Sequence, residues 1–186
     1  MAKIDLRGML GLSVIYEGND LILKDTEYKE KIIVTIDDIR EQLLNKELDC
    51  PDIFYTKYKQ IDTKNLFSSK KLKLNIYTMK SNLAGIEYVK TRSTRCDKYP
   101  RIFEVLFGSS TMLIQRYKSP KDNRIIKIQA KKGDKIIVPA GYDFVVTNPR
   151  QSSLLIFAEI MSVKATPRIT LDDSSGIAYY VIRKNA

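Results

Sequence analysis

The stretch from Gly133 to Asn148 constrains the fold more than any other part of the chain. It reads Gly133-Asp-Lys-Ile-Ile-Val-Pro139-Ala-Gly141-Tyr-Asp-Phe144-Val-Val-Thr-Asn148. Two short runs rich in β-formers, Lys135 to Val138 and Phe144 to Thr147, flank Pro139-Ala-Gly141. Proline presets a bend and glycine permits a positive φ, so the segment reads as strand, sharp corner, strand. Gly133-Asp134 is a second turn. The whole chain of 186 residues contains no histidine. Ser-His-Asp and Cys-His arrangements are therefore excluded, and no imidazole is present to hold a transition metal.

The spacing fits G-x5-P-x-G-x2-H-x3-N, the second motif of the cupin superfamily, at every position but one. The exception is the metal-binding His, which here is Phe144. The first cupin motif, G-x5-H-x-H-x3–4-E-x6-G, is degenerate. With its last Gly on Gly108, the Glu slot falls on Arg101, the His slots on Cys96 and Thr94, and the first Gly slot on Tyr88. The four metal slots thus hold Thr94, Cys96, Arg101 and Phe144. Phenylalanine has no ligand atom, and arginine does not deprotonate to become one. No metal bound in the usual cupin way, and no cofactor, is expected.

Within the cupins the chain resembles the archaeal cupin-type glucose-6-phosphate isomerase family. Gly85-Ile-Glu-Tyr-Val-Lys-Thr91-Arg92-Ser93 is similar to that family's G-K-E-F-F-F-T-K-G. Glu104-Val-Leu-Phe-Gly108-Ser-Ser-Thr-Met112-Leu-Ile-Gln115 resembles its strand-turn-strand ending in G-M-L-L-Q. The block from Gly11 to about Lys59 resembles its pre-barrel extension. The resemblance implies an all-β fold: a single cupin barrel (double-stranded β-helix, or jelly roll) with an N-terminal hairpin and short helix. It also implies a homodimer. The family's phosphate-holding T-K-G survives as Thr91-Arg92-Ser93, which keeps anion binding in view. Its His and Glu ligands are all absent, which argues against isomerisation.

The local patterns agree. Val14 to Tyr16 and Asp20 to Lys24 flank Glu17-Gly18-Asn19 as a short hairpin. Thr35 is expected to cap a helix, with Asp37 and Asp38 at its positive end and Ile36, Ile39, Leu43 and Leu44 on one face. Asp49-Cys-Pro51-Asp closes that region. Strands are expected from Phe54 to Lys59, Tyr88 to Val89, Arg101 to Phe107 and Leu154 to Glu159. In Lys71-Leu72-Lys73-Leu74-Asn75-Ile76 the strict alternation points Leu72, Leu74 and Ile76 at the core. Met112 to Tyr117 and Arg124 to Gln129 form a hairpin around Ser119-Pro120-Lys121-Asp122-Asn123. Ile177 to Ile182 reads as a late strand on a sheet edge or against a partner subunit.

The length suits one domain: residues 1–60 as an N-terminal extension, 61–163 as the barrel core and 164–186 as the tail. No run of about 18 apolar residues marks a membrane span. The start, Met-Ala-Lys-Ile-Asp-Leu-Arg, shows no h-region. Cys50 and Cys96 make neither a disulfide framework nor a zinc spacing. A cytoplasmic location is the expectation. The net charge of +10 is uneven. Residues 1–56 hold 7 basic and 12 acidic side chains, residues 57–135 hold 20 and 6, and residues 136–186 hold 5 and 4. This asymmetry fits either an anionic partner or a solvated barrel exterior.

Three functions follow. The first is a non-catalytic, metal-free binding or scaffold protein for an anionic ligand or partner, such as a phosphorylated small molecule, using its pocket or a basic outer face. The second is an isomerase with a metal-independent base; a Lys or Tyr could serve, but no local pattern singles one out. The third is a basic protein associated with nucleic acid or ribonucleoprotein. The candidate anion site is Thr91, Arg92, Thr94, Arg95 and Arg101. Arg101 would supply fixed charge and donors without a metal. Alternatively it pairs internally with a carboxylate such as Asp143, or points outward after a register shift. Asp172-Asp173 reads as a solvated turn. Phe144, if it keeps the inward direction of the His it replaces, would partly plug the pocket.

Overall fold

The computed structural model describes residues 3–6, 12, 14–119, 122–149, 153–170 and 177–184. Its strands are, in chain order, β1 (Ile4–Asp5), β2 (Val14–Glu17), β3 (Asp20–Leu23), β4 (Glu30–Thr35), β5 (Ile53–Ile61), β6 (Leu72–Met79), β7 (Leu83–Ala84), β8 (Glu87–Tyr88), β9 (Thr94–Arg95), β10 (Arg101–Phe107), β11 (Ser109–Ser119), β12 (Asp122–Lys131), β13 (Lys135–Val138), β14 (Asp143–Thr147), β15 (Leu155–Ser162) and β16 (Arg168–Ile169). Among the described residues these strands pair antiparallel.

Two large sheets dominate. One runs β13-β10-β15-β6-β5-β4 and the other β12-β11-β14-β9-β16. Val34, Tyr77, Phe103 and Phe157 from the first sheet pack with Met112, Ile114, Phe144 and Val146 from the second in one apolar core. The result is the all-β cupin jelly roll that the motif implies. The motif glycines sit where the chain changes sheet. Gly108, at φ +82°, joins β10 to β11. A Cβ there would lie 2.4 Å from the carbonyl oxygen of Leu154, so no larger residue fits. Gly141, at φ +80°, turns the chain from β13 into β14, and its N–H donates to the Cys96 carbonyl at 2.9 Å. Asn148 fastens the end of β14: its amide donates to the carbonyls of Met79 and Ser153, each at 3.0 Å.

The middle of the six-stranded sheet is buried on both faces, while the outer face toward β13 is exposed at Ile102 and Ile137. The small sheet β1-β2-β3 covers its outer face through a second core that includes Val14, Tyr16, Leu21, Tyr58, Leu74, Ile76 and Ile156. The alternation in β6 therefore marks a buried face, but not that of the barrel interior. Leu74 and Ile76 point outward under the hairpin, and Leu72 is only partly buried. The interior receives Lys73, Asn75 and Tyr77. The sheet also takes in β4 and β5, from the segment expected to lie outside the barrel.

The helix expected after Thr35 does not form. Thr35 ends β4, and Asp38 accepts hydrogen bonds from its backbone N–H and hydroxyl at 2.9 and 3.0 Å. Only a three-residue 3-10 turn, Arg40–Gln42, follows. Arg40 then donates to the carbonyls of Lys46 and Leu48, both at 2.7 Å, holding the segment as an irregular loop. Ile36, Ile39 and Leu43 are buried as the spacing predicts, and Leu44 is exposed. So short a helix depends on packing, and here the packing is satisfied without one.

The tail is not a strand either. Ile182 makes an isolated bridge to Glu87, Val181 accepts from Tyr88, and Arg183 donates to Ile86. Ile177 packs on Leu113 and Val145, outside the barrel. The tail is a strap along β8. Strand β16, which adds to β9, had no periodic signal. Asp172-Asp173 and the loop tip Pro120-Lys121 lie outside the described residues. Among those described, no helix is long and apolar enough to cross a membrane.

Candidate functional site

A cavity of about 370 Å³ opens into the barrel between the two sheets. Alternation along the strands decides what it meets. Tyr55, Lys57 and Lys59 face it from β5, while Tyr58 points to the opposite core. Lys73, Asn75 and Tyr77 face it from β6, Arg101 and Phe103 from β10, Phe144 from β14, and Glu159 from β15. Thr91, Arg92 and Thr94 complete the side nearest β9.

Glu159 is the hub. It is 1% exposed, and its Oε2 accepts from Tyr77 OH at 2.6 Å, Asn75 Nδ2 at 2.9 Å and Lys57 Nζ at 3.4 Å. Its Oε1 lies 3.3 Å from Arg101 Nη1. Burial alone would raise its pKa. Lys57 and Arg101, then the Tyr77 and Asn75 hydrogen bonds, outweigh burial and hold the carboxyl below its ordinary value. Burial, and then Glu159, pushes the Tyr77 phenol well above its usual 10.0, so it stays a donor. Burial also pushes the Lys57 ammonium down, against the pull of Glu159. Lys57 Nζ sits 4.7 Å from the centre of the Tyr77 ring.

Arg101 is 2% exposed and lies inside the barrel. Besides Glu159, it donates to Thr94 Oγ1 and to the Thr94 carbonyl, both at 2.9 Å. Its guanidinium rests over the rings of Phe103 and Phe144. The internal partner is thus Glu159, not Asp143. Asp143 is taken by Arg95, at 3.0 Å from Nε and 2.8 Å from Nη2. Phe144 points inward, is 2% exposed, and packs on Phe103 with ring centroids 4.1 Å apart.

A family model described as glucose-6-phosphate isomerase (GPI) matches residues 40–186. The chain belongs to the glucose-6-phosphate isomerase family. The chain is also similar, at low identity, to several solved structures. The Drosophila melanogaster CENP-C cupin domain is 14% identical, over 76% of this chain and 84% of that one, with TM-score 0.44. Peruvianin-I, a cysteine peptidase from Thevetia peruviana latex, is 16% identical over 55% and 57%, with TM-score 0.44. A recombinant oxalate oxidase in complex with glycolate is 11% identical over 54% and 47%, with TM-score 0.45. The chain spans about half the length of the last two. No curated protein matches it.

The metal that glucose-6-phosphate isomerases of the cupin type imply does not fit the residues present. Thr94, Arg101 and Phe144 line the cavity, and a guanidinium stands where a carboxylate ligand belongs. Cys96 does not join them; it is buried beside Met161 and Ala165. Among the described residues, no group of three or more His, Cys, Asp or Glu could hold a metal ion.

Of the five residues expected to bind an anion, the structure brings Thr91, Arg92, Thr94 and Arg101 to the cavity and leaves Arg95 outside it. Thr91 Oγ1 accepts from the Val146 N–H at 3.0 Å, which locks its place. Arg92 lies 3.9 Å from the exposed carboxylate of Asp38, and its charge offsets part of the rise that burial imposes on the Tyr55 phenol. Ser93 turns away to Gln42 and Thr170. Sequence reasoning missed Lys57, Asn75, Tyr77 and Glu159. One signal was present: Glu159 is the only charge in the apolar run Leu155-Ile-Phe-Ala-Glu-Ile-Met161, and a carboxylate there needs a buried partner.

Proposed function

We propose that this member of the glucose-6-phosphate isomerase family is a metal-free binding protein for a small anionic ligand, one that does not turn it over. The observation that carries this reading is the charge of the cavity. Lys57, Lys59, Lys73, Arg92 and Arg101 line it against one carboxylate, Glu159. Lys59 is paired with Glu30 at 2.6 Å and Arg92 lies 3.9 Å from Asp38. Glu159 is shared between Lys57 and Arg101, and Lys73 meets only a carbonyl, so a smaller positive surplus remains to favour an anion. Aromatic walls from Tyr55, Phe103 and Phe144 suit the apolar face of a phosphorylated sugar. The family suggests a sugar phosphate.

Calorimetric titration with glucose 6-phosphate, fructose 6-phosphate and inorganic phosphate tests the reading. Binding of the sugar phosphates at roughly millimolar affinity or better is expected, weakened by R92M. A coupled assay is expected to show no isomerisation at or above about 1 per second, with or without added metal. Saturable turnover would replace this reading with an isomerase that uses the Lys57–Glu159–Tyr77 cluster. Absence of any binding would overturn it.

The assembly we propose is a homodimer, as the family resemblance implies. It is supported by exposed Ile137 on β13, an end strand of the described sheet, beside Ile102 on β10.

A further inference from the structure

Lys57 differs from the other amines of the cavity. Lys59 gives its ammonium to Glu30 at 2.6 Å. Lys73 donates to the carbonyl of Ala165 at 2.6 Å. Besides its place over the Tyr77 ring, Lys57 makes one long hydrogen-bond contact, 3.4 Å, to a carboxylate oxygen that Tyr77 and Asn75 already hold more closely. It is largely buried, and Arg101 and Lys59 oppose its charge. A lysine desolvated beside other cations is the environment that frees an amine to act as a nucleophile.

We propose that Lys57 captures an anionic aldehyde or ketone in the barrel cavity as a reversible imine, with Glu159 as the proton acceptor. The inference rests on the anion-binding reading above and names the ligand's second functional group. Arg92 and Thr91 would hold the anionic end on the β9 side, and Lys57 and Glu159 the carbonyl end on the opposite sheet.

The steps balance. Glu159 takes one proton from the Lys57 ammonium. The free amine attacks the carbonyl carbon; an N–C bond forms and the π pair moves to oxygen. A proton passes from nitrogen to that oxygen to give a carbinolamine. Glu159 returns its proton, the oxygen leaves as water, and the nitrogen pair closes the C=N bond. The sum is ammonium plus carbonyl to protonated imine plus water, without oxidation or reduction. Water reverses it, so the reaction is capture and release rather than turnover.

The test is reductive trapping on the unmodified protein. Fructose 6-phosphate is added with sodium cyanoborohydride, which delivers hydride to an imine carbon and fixes it as a secondary amine. Peptide mass spectrometry then locates the adduct. Lys57 is expected to be labelled at least about ten times faster than Lys59 or Lys73. Glucitol 6-phosphate, which carries the phosphate but no carbonyl, is expected to bind and to protect Lys57. K57R is expected to lose the adduct, and E159Q to slow the trapping. Equal labelling of the three lysines overturns the inference. So does binding of glucitol 6-phosphate with no Lys57 adduct from fructose 6-phosphate; the anion-binding reading then stands. If neither phosphate binds, that reading falls and the inference with it. The central measurement needs no variant.

Discussion

Arg101 and Glu159 meet inside the barrel, guanidinium to carboxylate at 3.3 Å, from adjacent strands β10 and β15. In the family's pattern the position of Arg101 is a carboxylate slot. Here the cation sits on β10 and the carboxylate on its neighbour. Neither charge is tolerable alone at that depth, because a buried ion needs a partner. The two residues are one feature, and the metal slot cannot be considered apart from β15.

Restoring the four ligand types by T94H, C96H, R101E and F144H is therefore expected to fail. Glutamate at 101 would face Glu159 with no cation between them except Lys57. Cys96 is not among the residues that line the cavity, and a histidine there would pack on Met161 and Ala165, which do line it. Metal analysis and a coupled assay on the folded variant decide it. A bound metal together with turnover of about 1 per second or more would show that the cavity walls still support the family's reaction.

Glu159→Gln is expected to destabilise the protein by roughly 3 kcal/mol at neutral pH, because it leaves Arg101 and Lys57 buried without their anion. Urea unfolding measures this, and a loss below about 1 kcal/mol would mean that the cluster adds little to stability. The pH dependence has a definite sign. The folded carboxyl lies below its ordinary 4.5. Its contribution is therefore complete above about 4.5 and disappears as the pH falls through the lower folded value. Subtracting the E159Q curve from that of the parent isolates this contribution from other acidic groups.

How much could be read beforehand divides along a physical line. Gly108, Gly141 and Asn148 were legible because turns impose local backbone demands that few residues meet. The strands from β10 to β15 were legible because alternation is local too. The helix after Thr35 was misread because the same apolar spacing also suits a loop, and only Asp38 and the carbonyls taken by Arg40 decide between them. Lys57 and Tyr77 were invisible for a different reason. Their role depends on meeting Glu159 across 102 and 82 positions of sequence, and no spacing rule carries that.

Asn148→Ala is expected to cost about 2 kcal/mol, since it strips the buried carbonyl of Met79 and the half-buried carbonyl of Ser153 of a shared donor. Thermal unfolding reads the loss. An unchanged midpoint would mean that the motif's asparagine is dispensable for the barrel in this chain.

Ile137 is 66% exposed on β13 and lies directly opposite Ile102, which in turn lies opposite Ile160 on β15. These three form an apolar row across the outer face, leading toward Leu74 and the core beneath the hairpin. A strand at the end of a sheet, with apolar side chains and free backbone groups, is normally covered or blunted. Covering it with a second copy answers both needs at once. Light scattering at micromolar protein is expected to give twice the chain mass of 21.4 kDa. Ile137→Lys is expected to shift the protein to monomer without unfolding it, because the side chain is exposed in the single chain. A monomer for the parent protein would rule the dimer out. A dimer that survives I137K would move the interface elsewhere on the barrel.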